Sequence, residues 1–146
     1  MKILVATDGS RAGAAAVRFA SSLLDGGPKG ELVVLTVDAC PGTAPAAKDR
    51  RGECRNAKKA LQKAAGQMRR RGVLARYELV RTRDADEVPE VISRQADRLR
   101  ADLIVVGSEG RESLTEWVVG GTALRLIYVA RRPVTVVRAP RRRLPR

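Results

Sequence analysis

The chain is 146 residues long at 15.8 kDa with 44% apolar residues, which suits one domain with its own core and leaves little room for two. It has no histidine and two cysteines, Cys40 and Cys54, which excludes Ser-His-Asp and Cys-His catalysis and leaves too few ligands for a zinc site. The formal charge of +13 is unevenly placed: residues 39–76 carry 11 basic and 2 acidic side chains, and residues 117–146 carry 8 basic and none acidic. Such blocks attract phosphate-rich partners. No apolar run approaches the roughly 18 residues of a membrane helix. The opening MKILVATDGS turns polar at Thr7, too soon for a secretory leader. A cytoplasmic protein with free thiols and no membrane contact is the expectation.

In chain order, Ile3, Leu4, Val5 and Ala6 form a short unbroken apolar run, as in a strand buried on both faces. Asp8-Gly9-Ser10 reads as a turn with Ser10 as helix N-cap. Apolar residues from Ala14 to Leu24 then recur near helical spacing, and Gly26-Gly27-Pro28 stops them. Leu32 to Val37 makes a second buried strand. Residues 39–52 hold Pro41-Gly42, Pro45 and Gly52 among small residues, which predicts a mobile loop. Arg55 to Arg71 reads as a very basic helix with Ala57, Ala60, Leu61, Ala64, Ala65 and Met68 inside, ended by Gly72. Val73 to Val80 alternates loosely, like an edge strand.

Asp84 or Asp86 caps the next predicted helix, whose Val88, Val91, Ile92, Ala96 and Leu99 share one face. Pro89 falls in its first turn, where the missing N–H does no harm. Leu103 to Val106 is a fourth buried strand ending at Gly107. Gly120-Gly121-Thr122 opens a last helix to about Arg131, and Pro133 starts a fifth strand, Val134 to Val137. The domain is expected over 1–138, with 139–146 as a basic disordered tail.

Five strands alternating with helices, three of them unbroken apolar runs, predict an α/β fold: one doubly wound parallel sheet, order 3-2-1-4-5, with helices on both faces. Ligands in such sheets bind beyond the strands' carboxyl ends where the strand order reverses. Here that point lies between strands one and four, at Thr7-Asp8-Gly9-Ser10 and Gly107-Ser108-Glu109-Gly110. Gly107, Gly110 and Gly120 stand in a G-x2-G-x9-G spacing, followed by Gly121 and Thr122. Glycines leave room for a ligand to approach the backbone, and free amides at a helix start favour an anion. A triphosphate fits along this path; so do ordinary glycine turns after parallel strands.

KILVATDGS, LVVLTV, and DLIVVGSEG followed by GGTALRLIYVARRPVTVVR together resemble the universal stress proteins over nearly the whole chain. The resemblance implies the same doubly wound fold and a homodimer paired through the last strand, Val134, Thr135, Val136 and Val137. It also implies a regulatory or stress-sensing role. One branch of that family binds ATP, with a G-x2-G-x9-G-[ST] signature, and another lacks the motif. By that likeness the nucleotide site comprises Ala6, Thr7, Asp8, Val37, Gly107, Ser108, Gly110, Arg111, Gly120, Gly121 and Thr122. Asp8 matches the acidic residue near the ribose and Val37 the position whose backbone reads adenine. Gly121 departs from the Ser/Thr of the signature: its amide survives but its hydroxyl is gone, and Thr122 is one position late. Mg²⁺ would ride on the phosphates rather than in a protein cage. With neither a histidine base nor a P-loop, any ATP turnover is expected to be slow.

Plainer roles stand beside these. Asp8 also suits holding its own turn, Thr122 a helix-start hydroxyl, and Arg111 a solvated side chain. Trp117 suits packing or an interface better than base stacking. The alternative reading of the whole chain is a dimeric interaction module with a degenerate cleft, docking an acidic protein or nucleic acid through its basic patches. Four aromatic residues offer no platform for single strands, and no DNA- or RNA-binding motif appears. The basic helix with Lys58, Lys59, Lys63, Arg69, Arg70 and Arg71 therefore reads as a charged, solvated face.

Overall fold

The computed structural model describes residues 1–25, 29–39, 47–109 and 119–140, with the side chains of 47–55 set aside. Five strands, β1 (Lys2–Ala6), β2 (Glu31–Ala39), β3 (Arg76–Thr82), β4 (Leu103–Gly107) and β5 (Val134–Val137), form one sheet of order β3-β2-β1-β4-β5. Every pair is parallel, so the strand order reverses between β1 and β4 as the sequence implied. Among the described residues, four helices cover the two faces: α1 (Arg11–Ser22), α2 (Ala47–Arg71), α3 (Val88–Arg98) and α4 (Gly121–Val129).

The strands' unbroken apolar runs are explained by two cores. Alternate side chains of a strand point to opposite faces, so a strand covered on both sides needs apolar residues at every position. Ile3, Val5, Leu32, Val34 and Val105 pack with Ala16, Val17, Ala20, Ala64 and Met68, beneath α1 and α2. Leu4, Val33, Leu35, Ile104 and Val106 pack on the other face with Ile92, Ala96, Leu99, Ala123 and Leu126, beneath α3 and α4.

Several boundaries differ from the expected ones. The loop expected over 39–52 is helical from Ala47, because alanine, lysine and arginine favour helix strongly enough to carry Gly52, at a cost of about 1 kcal/mol. Residues 40–46, including Cys40, lie outside the described residues. The third strand runs Arg76–Thr82 rather than Val73 to Val80, held by pairing with β2 as far as Ala39↔Thr82. The first helix ends at Ser22 and the last at Val129, each slightly earlier than expected. Asp84 caps a short 3-10 turn, Ala85–Glu87, accepting a hydrogen bond from the Asp86 amide, and α3 follows with Pro89 in its first turn. The α2 terminus closes at Gly72 (φ 68°), with its amide bonded to the Arg69 carbonyl and the Val73 amide to the Met68 carbonyl. The same motif ends α3 at Arg100 (φ 53°), a left-handed position without a glycine. Of the expected tail, residues 141–146 lie outside the described residues, while the Pro140 carbonyl accepts a hydrogen bond from Arg11.

Candidate functional site

The carboxyl ends of β1, β2 and β4 converge at the strand-order reversal, and hydrogen bonds tie their loops into one frame. Past Ala6, the Thr7 amide donates to the Leu35 carbonyl on β2 at 2.9 Å, and the buried Thr36 hydroxyl donates to the Thr7 carbonyl at 2.8 Å. The turn then folds on itself. The Thr7 hydroxyl accepts from the Gly9 amide, the Asp8 carboxylate accepts from the Ser10 amide at 2.9 Å, and Ser10 caps α1 by accepting from the Gly13 amide. Gly9 (φ 81°) takes a conformation that side chains disfavour, which lets the chain turn within four residues. Asp8 therefore does hold its own turn, with one carboxylate oxygen engaged in doing so.

The second loop is joined to the first. The Ser10 hydroxyl donates to the Glu109 carbonyl at 3.4 Å. Buried Ser108 links three elements: its amide donates to the Val137 carbonyl at 2.8 Å, and its carbonyl accepts from the Gly120 amide. The start of α4 is thereby fixed against the end of β4. Gly120 occupies the N-cap, with no side chain capping the helix and no acidic residue in its first turn. The first amides of α4, at Gly121, Thr122 and Ala123, have no partner within the helix itself, and the positive end of its dipole lies there. Gly121 and Thr122 are both exposed.

The glycines differ in what they do. At Gly107 a Cβ would lie 2.6 Å from the Ala12 carbonyl carbon and 2.8 Å from the Gly13 nitrogen, so its missing side chain is needed to seat α1 against β4. The room a glycine gives is filled there by α1. A Cβ on Gly121 would meet nothing within 4 Å among the described residues. Gly110, Arg111 and Trp117 lie outside the described residues, so Thr7, Asp8, Ser108, Gly120, Gly121 and Thr122 form the described part of the frame. Val37, half-buried near the end of β2, packs into the α3/α4 core.

Two groups at the site carried no signal in the sequence. Lys63 and Gln67 of α2 reach the β1–α1 segment: the Lys63 ammonium donates to the Gly9 carbonyl at 2.9 Å and the Gln67 amide to the Ala14 carbonyl at 3.0 Å. Both partners lie more than 50 positions away, beyond any local pattern. Asp38, next to Val37, is buried with its carboxylate 3.8 Å from the Arg81 guanidinium on β3. Among the described residues, no group of histidine, cysteine, aspartate and glutamate is placed to hold a metal.

The sequence matches the universal stress protein family over residues 1–138. The chain belongs to that family. Among solved structures, it is similar to a universal stress protein family member from Burkholderia pseudomallei, at 30% identity over 94% of this chain and 96% of that one (TM-score 0.71). A universal stress protein from Archaeoglobus fulgidus is 25% identical, covering 94% and 98% of the two chains (TM-score 0.73). A universal stress protein of the same organism, solved in complex with dAMP, is 26% identical over 94% and 98% (TM-score 0.66). Among curated proteins, none matches the chain. No described helix is long and apolar enough to cross a membrane.

Proposed function

We propose that this universal stress protein binds ATP or a related adenine nucleotide at the junction of the β1 and β4 loops, in a regulatory or stress-sensing role. The observation that carries the reading is the start of α4, tied to the end of β4 through Ser108, where among the described residues no side chain caps the helix and its first turn holds no acidic residue. The family relative solved with dAMP supports an adenine nucleotide. The phosphates run from the turn that holds Gly107, Ser108, Gly110 and Arg111 to the amides of Gly121 and Thr122. Asp8 stands near the ribose, and the backbone at Val37 reads the base. Mg²⁺ accompanies the phosphates. Without the signature hydroxyl at Gly121, one hydrogen bond to a charged group is missing, worth about 1.5–3 kcal/mol or ten- to a hundredfold in affinity. Any turnover of the bound ATP is slow, and the chain works in the cytoplasm as a sensor rather than a catalyst. Titration of ATP with Mg²⁺ into nucleotide-free protein tests the reading.

The functional unit over residues 1–138 is a homodimer joined at β5. The two sheet edges differ in a way that supports this. The β3 edge is charged, with Arg76 and Glu78 paired to each other and to Glu31 and Arg98. The β5 edge is Val-Thr-Val-Val, with no further strand paired to it among the described residues, which suits it to take another strand. Beside it, α4 exposes Leu124, Ile127 and Tyr128 on one face. Antiparallel pairing of two β5 strands creates a twofold axis and brings the two α4 faces towards each other.

A further inference from the structure

The outer face of α2 has a feature that, apart from Lys63, the nucleotide site does not touch. Residues 56–71 include six cations and no carboxylate. Lys58, Gln62 and Arg69 form one row at spacings of four and seven residues, and Lys59, Lys63 and Arg70 form the next. All six are exposed, on the side opposite Ala57, Ala60, Ala64 and Met68, which pack inward. The two rows extend about 18 Å along the helix axis.

A merely solvated helix face gains from alternating charge, with glutamate four residues from lysine. Here Lys59 and Lys63 face each other as like charges. Some surface cations elsewhere are neutralised: Lys2, Arg76, Arg98, Arg125 and Arg132 each sit within 3.1 Å of a carboxylate. Lys58, Lys59, Arg69 and Arg70 make no ion pair among the described residues. The C-terminal dipole of α2 rewards Arg69 and Arg70 but lies too far from Lys58 and Lys59 to explain them.

The geometry points to this face as a binding surface for the phosphate backbone of double-stranded nucleic acid, independent of base sequence. The side chains present are lysine, arginine and glutamine, the types that contact phosphate oxygens. An acidic protein surface of ordinary affinity would ask for an apolar or aromatic centre, which the face lacks. Insertion into a membrane interface would need exposed Trp, Phe or Leu among the cations, and none is there. Single strands would need stacking aromatics.

The test is fluorescence anisotropy of a labelled duplex of mixed sequence with the full chain, from 50 to 200 mM salt. Each phosphate contact contributes about 0.9 to the slope of log affinity against log salt. The Lys58→Gln/Lys59→Gln variant should bind more weakly and show a slope shallower by about 1.8. Across that salt range the variant should then lose about 12-fold less affinity than the parent. Arg69→Gln/Arg70→Gln should give the same change from the other end of the face. Lys58→Gln/Lys59→Gln should keep the parent's melting temperature, since both side chains are exposed, while Arg69→Gln/Arg70→Gln should lower it by about a few degrees at most through the lost helix-end charges. An unchanged slope in both pairs would overturn the proposal and leave any binding to the basic segment 141–146. So would absence of duplex binding at 50 mM salt, or capture by phosphatidylserine vesicles in its place.

Discussion

Replacing Gly121 by serine is the sharpest perturbation of the proposed site. The position is the first residue of α4, directly after the extended Gly120 N-cap, and a Cβ there meets nothing within 4 Å among the described residues. The side chain therefore enters without displacing its neighbours. Serine is a better helix residue than glycine by about 0.5 kcal/mol, so stability should hold or rise by 1–2 °C in melting temperature. Its hydroxyl would stand beside the uncapped amides, where the family signature has one. A hydrogen bond to a charged phosphate contributes about 1.5–3 kcal/mol, so ATP should bind roughly ten- to a hundredfold more tightly. Calorimetric titration of ATP, AMP and adenosine into both proteins reads this out. The gain should be large for ATP and absent for adenosine, which has no phosphate to contact. Unchanged ATP affinity in a fully folded Gly121→Ser protein would refute the phosphate path through the α4 amides.

Gly107→Ala drives a methyl into the backbone of α1 and should cost about 1–3 kcal/mol in denaturant unfolding, through separation of α1 from β4. Arg100→Gly should stabilise by roughly 0.5–1 kcal/mol, the left-handed cost of about 1–2 less the extra chain entropy of glycine. Ile127→Glu/Tyr128→Glu should shift the protein from dimer to monomer in sedimentation without lowering nucleotide affinity; a dimer that persists removes α4 from the interface. Glu90 has its carboxyl held below the ordinary range by its own backbone amide and by Arg125. That contribution to stability is present above the unfolded pKa and is lost as pH falls through the folded one. The melting-temperature gap between the parent and Glu90→Gln should therefore close on acidification from pH 6, and a constant gap would contradict the assignment.

The sheet was legible because three of its strands are buried on both faces. Ile3 to Ala6, Leu32 to Val37 and Leu103 to Val106 are apolar at every position but Thr36, whose buried hydroxyl is bonded to the Thr7 carbonyl, and runs this short suit strands. Edge strand β3 was placed three residues early because it pairs on one side only, so pairing with β2 sets its limits more than its weak alternation does. The α2 start was hidden by the glycine and prolines before and within it, although composition favoured helix from Ala47. At the site, the β1–α1 turn was legible from Asp8-Gly9-Ser10, with Ser10 as the helix cap. The division of labour between Gly107, which seats α1, and Gly121, which stands open, was not. It depends on what lies opposite each glycine, and only the folded chain brings Ala12 and Gly13 against Gly107. Lys63 was visible only as one cation in a basic helix, because its contact with Gly9 arises from the packing of α2 against the β1–α1 turn.

The most direct measurement is calorimetric titration of ATP with Mg²⁺ into purified protein shown by mass spectrometry to carry no nucleotide. The account predicts saturable binding of one nucleotide per chain, with an affinity between micromolar and millimolar set by the missing hydroxyl at Gly121. No heat of binding at millimolar ATP, from protein that is folded and nucleotide-free, would contradict it.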